Sequence, residues 1–328
     1  MYSKKTKPDG RFILFWLIFF IFAAAITGDI ISESMLLSGH GLSALPFIYI
    51  ANSLFLFAVS FFMMSVIDRL GRIKVFFVFF SFHIISVSLI FLSIAFFGSG
   101  KAAYFLFIYS YVMKILSFMI FWTIANDICD ARTAKTVFPM VAAGGLVGGA
   151  LSGFLVPYIL RFSGALFIFV LWLSFLAVAV VIFNELRKSY SFELSSVRKK
   201  REKSGFFSSF KKDLSPVLRE PLVKGMGGLY FLTFFLIINH DYLYLSKVKE
   251  YIGGDPGALA GFFGLFKGGA STATFLVQLT VAGAVLKMLG TVRSMFFFPA
   301  SLLVSFLFQF LASVGLFPAE AMGINVFF

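Results

Sequence analysis

Residues 12–32 read FILFWLIFFIFAAAITGDIIS, an apolar run interrupted by a single charge, Asp29. At about 1.5 Å per helical residue, a run of this length crosses the ~30 Å hydrocarbon layer of a bilayer. The pattern repeats along the chain. Spans are expected near Phe12–Ser32, Phe47–Ile67, Val75–Phe97, Tyr104–Ala125, Phe138–Leu160, Ala165–Asn184, Met226–Leu245, Ala258–Leu286 and Met295–Phe317, and Met322–Phe328 reads as the start of another. Of all 328 residues, 60% are hydrophobic, 19% aromatic and 13% charged. Soluble domains carry about a quarter charged residues, so a water-soluble globule and a disordered chain are both excluded. The expected class is an all-α membrane protein. Lys4-Lys5-Thr6-Lys7 before the first run has the look of a signal peptide, but similar spans follow, which favours an uncleaved first helix.

The net charge of +13 takes its meaning from where the 28 Lys and Arg fall. Twenty-two of them lie in the amino terminus and in alternate loops, including Arg69, Arg72, Lys74, Arg132, Lys135, Lys287 and Arg293. That asymmetry predicts a cytoplasmic amino terminus and, for a bacterial chain, residence in the inner membrane rather than contact with nucleic acid. The longest polar stretch, residues 185–224, contains Arg198-Lys199-Lys200-Arg201-Glu202-Lys203. It reads as a basic cytoplasmic linker, open to anionic lipid headgroups, between a six-helix bundle over residues 1–184 and a partial second bundle over 225–328. Nine full spans do not complete two equal halves, so Phe328 is expected to be a fragment boundary or the missing helices to come from another chain.

A faint repeat crosses the linker. Thr27-Gly28-Asp29 in the first span has a counterpart in Asn239-His240-Asp241 in the seventh. Asp68-Arg69-Leu70-Gly71-Arg72-Ile73-Lys74 after the second span likewise matches Leu286-Lys287-Met288-Leu289-Gly290-Thr291-Val292-Arg293 after the eighth. Parallel repeats about an axis along the membrane normal resemble the layout of the major facilitator superfamily. Asp68 through Lys74 is similar to the signature loop between its second and third helices, although Met64 stands where that pattern has Gly. The resemblance implies that Asp68, Arg69 and Arg72 guard a cytoplasmic gate.

A second resemblance is narrower. Phe121-Trp122-Thr123-Ile124-Ala125-Asn126-Asp127, Ala134-Lys135 and Phe138-Pro139, followed by glycines 144, 145, 148, 149 and 153, resemble the ATP/ADP translocase-like branch of that superfamily. Thr136 replaces the Arg usual after that Lys, removing one phosphate-compatible cation. The branch implies a nucleotide as passenger, exchanged as ATP against ADP, with Phe121, Asn126 and Asp127 near the substrate and Lys135 near the gate. Gly145, Gly149 and Gly153 recur at every fourth position, as do Gly144 and Gly148, which gives the fifth helix smooth faces. Gly261, Gly264 and Gly268 of the eighth span are the expected partners, because small residues let helices approach closely in lipid.

Lys114 and Lys267 lie inside predicted spans, where a cation costs about 2.5–3.5 kcal/mol on insertion scales. Lys114 shares a helical face with Tyr111 and Phe121, a cation between aromatic planes that suits an anion bearing a ring. Its alternative is a lysine paired with a carboxylate for assembly. Lys267 is a candidate second anion contact. Asp29 and Glu33, four apart near the expected outer end of the first span, and Asp241 in the seventh are candidates for gating or ion coupling. His83 and His240 are uninformative singly, and the lone Cys129 excludes an internal disulfide.

The chain has no G-x-x-x-x-G-K-[ST] loop, no H-E-x-x-H and no G-x-S-x-G, so neither ATP hydrolysis nor intramembrane catalysis is expected, nor any cofactor or metal. These features predict a secondary transporter for a small anionic solute such as ATP or ADP. Two alternatives stand beside it. One is proton-coupled transport of a different metabolite, and the other is a non-transporting membrane anchor or sensor.

Overall fold

A computed structural model describes residues 8–39, 42, 45–98, 100, 102–196, 220–294 and 296–313. All the elements among them are helices: α1 (Pro8–Gly39), α2 (Leu45–Leu70), α3 (Arg72–Phe97), α4 (Ala102–Ile128), α5 (Ala131–Phe162), α6 (Phe167–Ser196), α7 (Pro221–Ile252), α8 (Pro256–Val277), α9 (Gly283–Ser294) and α10 (Phe297–Ser313). Among the described residues, six stretches are long and apolar enough to cross a membrane: Gly10–Gly39, Arg72–Phe97, Ala102–Ile128, Arg132–Phe162, Phe167–Tyr190 and Pro256–Val285. The protein is a multi-pass, all-α membrane protein.

The helices fall into two compact units, one of α1–α6 with α8, the other of α7, α9 and α10. In the first unit α1 is the hub, packed against α4, α5, α6 and α8. Leu14, Leu17, Ile21, Ala24, Ile30 and Ile31 are accordingly buried, and a helix enclosed in this way has to be apolar around its circumference. At the periphery the polarity rule of soluble proteins is reversed. Phe55, Phe57 and Phe62 of α2 and Phe82 and Leu89 of α3 are exposed, as side chains facing hydrocarbon should be. In the second unit α10 packs against α7 and α9.

Helix ends follow local chemistry. Asp130 caps α5 by accepting from Thr133 N at 2.7 Å, and hydrogen bonds from the Thr133 side chain and then its backbone hold the carboxyl below the usual carboxylate range. Asp255 caps α8 in the same way from Ala258 N at 2.6 Å, with Pro256 at the first helical position. Gly71 separates α2 from α3 with φ 79° and ψ 153°. Gly290, its counterpart in the sequence repeat, breaks α9 with φ 70° and ψ 168°. This region of backbone space is essentially reserved for glycine, so the two repeat members share a conformation as well as a sequence pattern.

Several boundaries differ from the sequence expectation. α1 continues past Ser32 to Gly39, and α6 continues to Ser196 into the stretch read as linker. The last four residues of that stretch, 221–224, open α7, while residues 197–219 and residues 314–328 lie outside the described residues. The stretch expected as one span over Ala258–Leu286 is divided by a π turn at Gln278–Ala282, with α8 before it and α9 after it.

The glycine rows explain why α8 packs with helices far earlier in the chain. A Cβ on Gly153 would lie 2.6 Å from the Gly268 Cα and 2.7 Å from the Gly264 carbonyl oxygen, so only bare backbone fits at this crossing. Gly261, the third expected partner, is looser, with Leu160 at 3.8 Å from its virtual Cβ. Gly144 and Gly148, on the neighbouring row, meet Phe15 and the Phe19 backbone of α1. One small-residue helix therefore seats two partners, and dispersion at close range supplies the attraction that lipid-facing surfaces lack.

Candidate functional site

Three helices of the first unit converge on four charges. α1 contributes Asp29 and Glu33, one helical turn apart, α4 contributes Lys114, and α8 contributes Lys267. Lys114 Nζ donates to Asp29 Oδ2 at 2.6 Å, and Lys267 Nζ donates to Glu33 Oε1 at 2.7 Å. Lys267 also lies 3.9 Å from Asp29 Oδ2, which joins the two pairs into one cluster. The carboxylate side chains are 9% and 12% exposed and the ammonium-bearing ones 24% and 18%, so the lysines are the more accessible members.

Each charge is deep because of the length of its helix. With α1 running to Gly39, Asp29 and Glu33 lie inside the helix rather than at the outer end expected from a span closing at Ser32. Lys114 sits near the middle of α4. A lone carboxylate or ammonium at such depth costs several kcal/mol, and opposite charges in contact offset that cost. Tyr111, one turn before Lys114, places its ring centroid 5.1 Å from Nζ, adding a cation–π contact. The hydroxyls of this stretch of α1 turn back on their own helix, Thr27 to the Ala23 carbonyl and Ser32 to that of Asp29. Lys267 reaches it because the bare crossing of Gly153 with Gly264 and Gly268 draws α8 inward.

The cluster is formally neutral, and this determines what it can do. An incoming anion meets ammonium groups already satisfied by carboxylates, so binding requires exchange of partners or protonation of Asp29 or Glu33. The alternative reading of Lys114, a lysine paired with a carboxylate, is thus its geometry here.

A separate pair forms about 20 Å further along α4, thirteen residues beyond Lys114. Arg72 Nε, in the first residue of α3, donates to Asp127 Oδ2 near the end of α4 at 2.7 Å, with side chains 14% and 18% exposed. Each charge opposes the dipole of its own helix, a cation at an amino end and an anion at a carboxyl end. Each is compensated by the partner and by the partner's helix terminus. This contact joins a residue read as a gate guard with one read as a substrate contact.

The remaining candidates are dispersed. Phe121 is fully buried, edge-on to Trp122 at 5.4 Å, and Trp122 in turn meets Phe138 at 5.2 Å. Asn126 is exposed and donates to its own helix at the Trp122 carbonyl. Lys135 is exposed on the first turns of α5. Asp241 is half-buried on α7 in the second unit. The side chains of Asp68 and Arg69 lie outside the described residues. The geometry thus unites Asp29, Glu33, Lys114, Tyr111 and Lys267, which sequence reasoning had divided between gating and substrate binding. No protein-family model, no curated protein and no solved structure matches this chain.

Proposed function

We propose that this chain is the membrane part of a secondary transporter that moves a small anionic solute by alternating access. The observation that carries the reading is the formally neutral four-charge cluster shared by α1, α4 and α8, each long and apolar enough to cross a membrane. A bundle that needed only stability would gain as much from apolar residues of similar volume. Charges in such positions characteristically belong to solute or proton pathways. In the proposed cycle the anion replaces Asp29 and Glu33 as partner of Lys114 and Lys267, and Tyr111 offers a ring face beside the first ammonium. The Arg72–Asp127 pair, with Asp68, Arg69 and Lys135 nearby in sequence, acts as the cytoplasmic gate. The α5–α8 glycine contact provides a surface on which helices slide with little side-chain interlocking.

The resemblance of residues 121–139 to nucleotide carriers supports ATP and ADP as the exchanged pair, in a bacterial inner membrane with the amino terminus cytoplasmic. The pairing of Lys114 with Asp29 favours a second reading, proton-coupled transport of another anionic metabolite. Protonation of Asp29 would release the ammonium for the solute.

Uptake by proteoliposomes separates the two. Exchange of external labelled ATP for internal ADP, indifferent to a pH gradient, supports the nucleotide carrier. Saturable anion uptake driven by a pH gradient without nucleotide exchange supports the second, and no solute movement under either condition overturns transport.

A further inference from the structure

Beside the charge cluster, a small cavity opens among α1, α3, α4 and α6. Its polar lining consists of His83, Ser110, Lys114, Ser117 and Trp172, and α1 contributes only Ile21, Ala24 and Ala25. His83, Ser110 and Trp172 are 3%, 2% and 1% exposed. Yet Nδ1 and Nε2 of His83, Oγ of Ser110 and Nε1 of Trp172 have no hydrogen-bond partner among the described residues. Polar groups buried this deeply without a partner cost about 1–3 kcal/mol each, and three of them facing one cavity call for a shared guest.

The chemistry of the lining selects the guest. Trp172 can only donate, Ser110 donates or accepts, and neutral His83 has one donor and one acceptor nitrogen. One water meets three of these groups, taking an N–H from Trp172 and an O–H from Ser110 while donating to the acceptor nitrogen of His83, and the imidazole N–H is the one group it does not meet. A cavity with room for about one molecule of that size and several polar partners is the usual setting of a buried water. A halide would accept from Trp172 and Ser110 but leave the acceptor nitrogen of His83 unsatisfied.

Ser110, Lys114 and Ser117 occupy one face of α4, so the residue whose ammonium is bonded to Asp29 lines the same cavity as the imidazole. We infer that this cavity is a water site through which His83 exchanges protons with the Lys114–Asp29 pair. A hydronium from the aqueous phase protonates the imidazole. The imidazolium N–H bond then breaks as water forms a new O–H bond, and water passes a proton to Lys114 Nζ as Lys114 releases one to Asp29 Oδ2. The net result is a neutral carboxyl, an unchanged ammonium and a neutral imidazole. The titratable groups around this route are Tyr109 and Lys114 on α4, Asp29 and Glu33 on α1 and Lys267 on α8. Tyr109 donates to the His83 carbonyl at 3.3 Å and meets the ring edge-on at 5.6 Å. From α6 the ring faces Trp172, edge-on at 5.7 Å.

The inference rests on the proposed transporter only for its use as a coupling device, and its test needs no solute. Purified protein in lipid nanodiscs is subjected to a pH jump while infrared absorption follows protonation of Asp29, with the band assigned by its loss in Asp29→Asn. His83→Gln, which preserves hydrogen bonding without titrating, is expected to slow proton uptake tenfold or more, and Ser110→Ala to slow it severalfold. Uptake as fast as wild type in both variants, or no protonation of Asp29 at any pH at which the protein stays folded, overturns the inference. If proton uptake depends on His83 while proteoliposomes move no solute, the water route stands and the transporter reading falls.

Discussion

Two ionic sites of the first unit use similar contacts in different surroundings. The Arg72–Asp127 pair joins helix termini, where each charge also compensates a helix dipole. The members of the Asp29–Glu33–Lys114–Lys267 cluster lie within the lengths of α1, α4 and α8 and are drawn together by close helix packing. A terminal pair that opens can be rehydrated from the membrane surface. An interior pair that opens must find another partner at once, so the interior cluster is suited to exchanging one anion for another and the terminal pair to opening and closing.

The contrast is best broken by deleting one lysine. Lys114→Met leaves Asp29 with the more distant Lys267, 3.9 Å away, in place of a direct hydrogen bond, and is expected to cost about 3–5 kcal/mol in a denaturant titration, whereas Lys114→Met with Asp29→Asn should recover most of that loss. Equal stability of the single and double variants would show that the pair is not held in isolation from water. A smaller effect is expected at the terminal pair. Arg72→Ala should cost about 1–3 kcal/mol, as expected for a charged hydrogen bond whose survivor can be hydrated, and exchanging the two residues as Arg72→Asp with Asp127→Arg should restore part of it.

The dependence of the interior cluster on packing can be tested without touching a charge. Gly153→Leu places a side chain where Gly264 and Gly268 meet α5, so α8 must move and carry Lys267 away from Glu33. The coupling energy between Lys267 and Glu33 in a double-mutant cycle should then shrink, while that between Arg72 and Asp127 is unchanged. The smallest effect concerns Cys129, at the end of α4 near the terminal pair. Burial, together with the Asp130 anion, raises its thiol above the usual range. Less thiolate is present at neutral pH, so maleimide labelling should be slower than for a free thiol and accelerate as pH rises. Asp130→Asn should speed it.

Much of this was legible in the sequence. A lysine within an apolar span is conspicuous, so Lys114 and Lys267 were found by depth alone, and the fourfold glycine spacing identified the α5–α8 contact. Asp29 and Glu33 read as gating or ion-coupling groups near the outer end of a span because the first apolar run weakens at Ser32. The helix itself persists through Ser34, whose hydroxyl bonds its own backbone, and through buried Met35, Leu36 and Leu37. Periodicity could not associate α8 with the first six helices, since that depends on backbone approach between distant segments. His83 was uninformative alone because its cavity partners, Ser110 and Trp172, come from other helices. Asn126 and Lys135 matched a family pattern, but the exposed positions they occupy were not implied by that pattern.

Equilibrium binding of labelled ADP to the purified protein in nanodiscs tests the account most directly, because an anion that takes the place of Asp29 competes with it. The account predicts saturable binding that Lys114→Ala abolishes and Asp29→Asn tightens, since the internal competitor has been removed. Binding that survives Lys114→Ala, or that Asp29→Asn weakens as much as Lys114→Ala does, would contradict it.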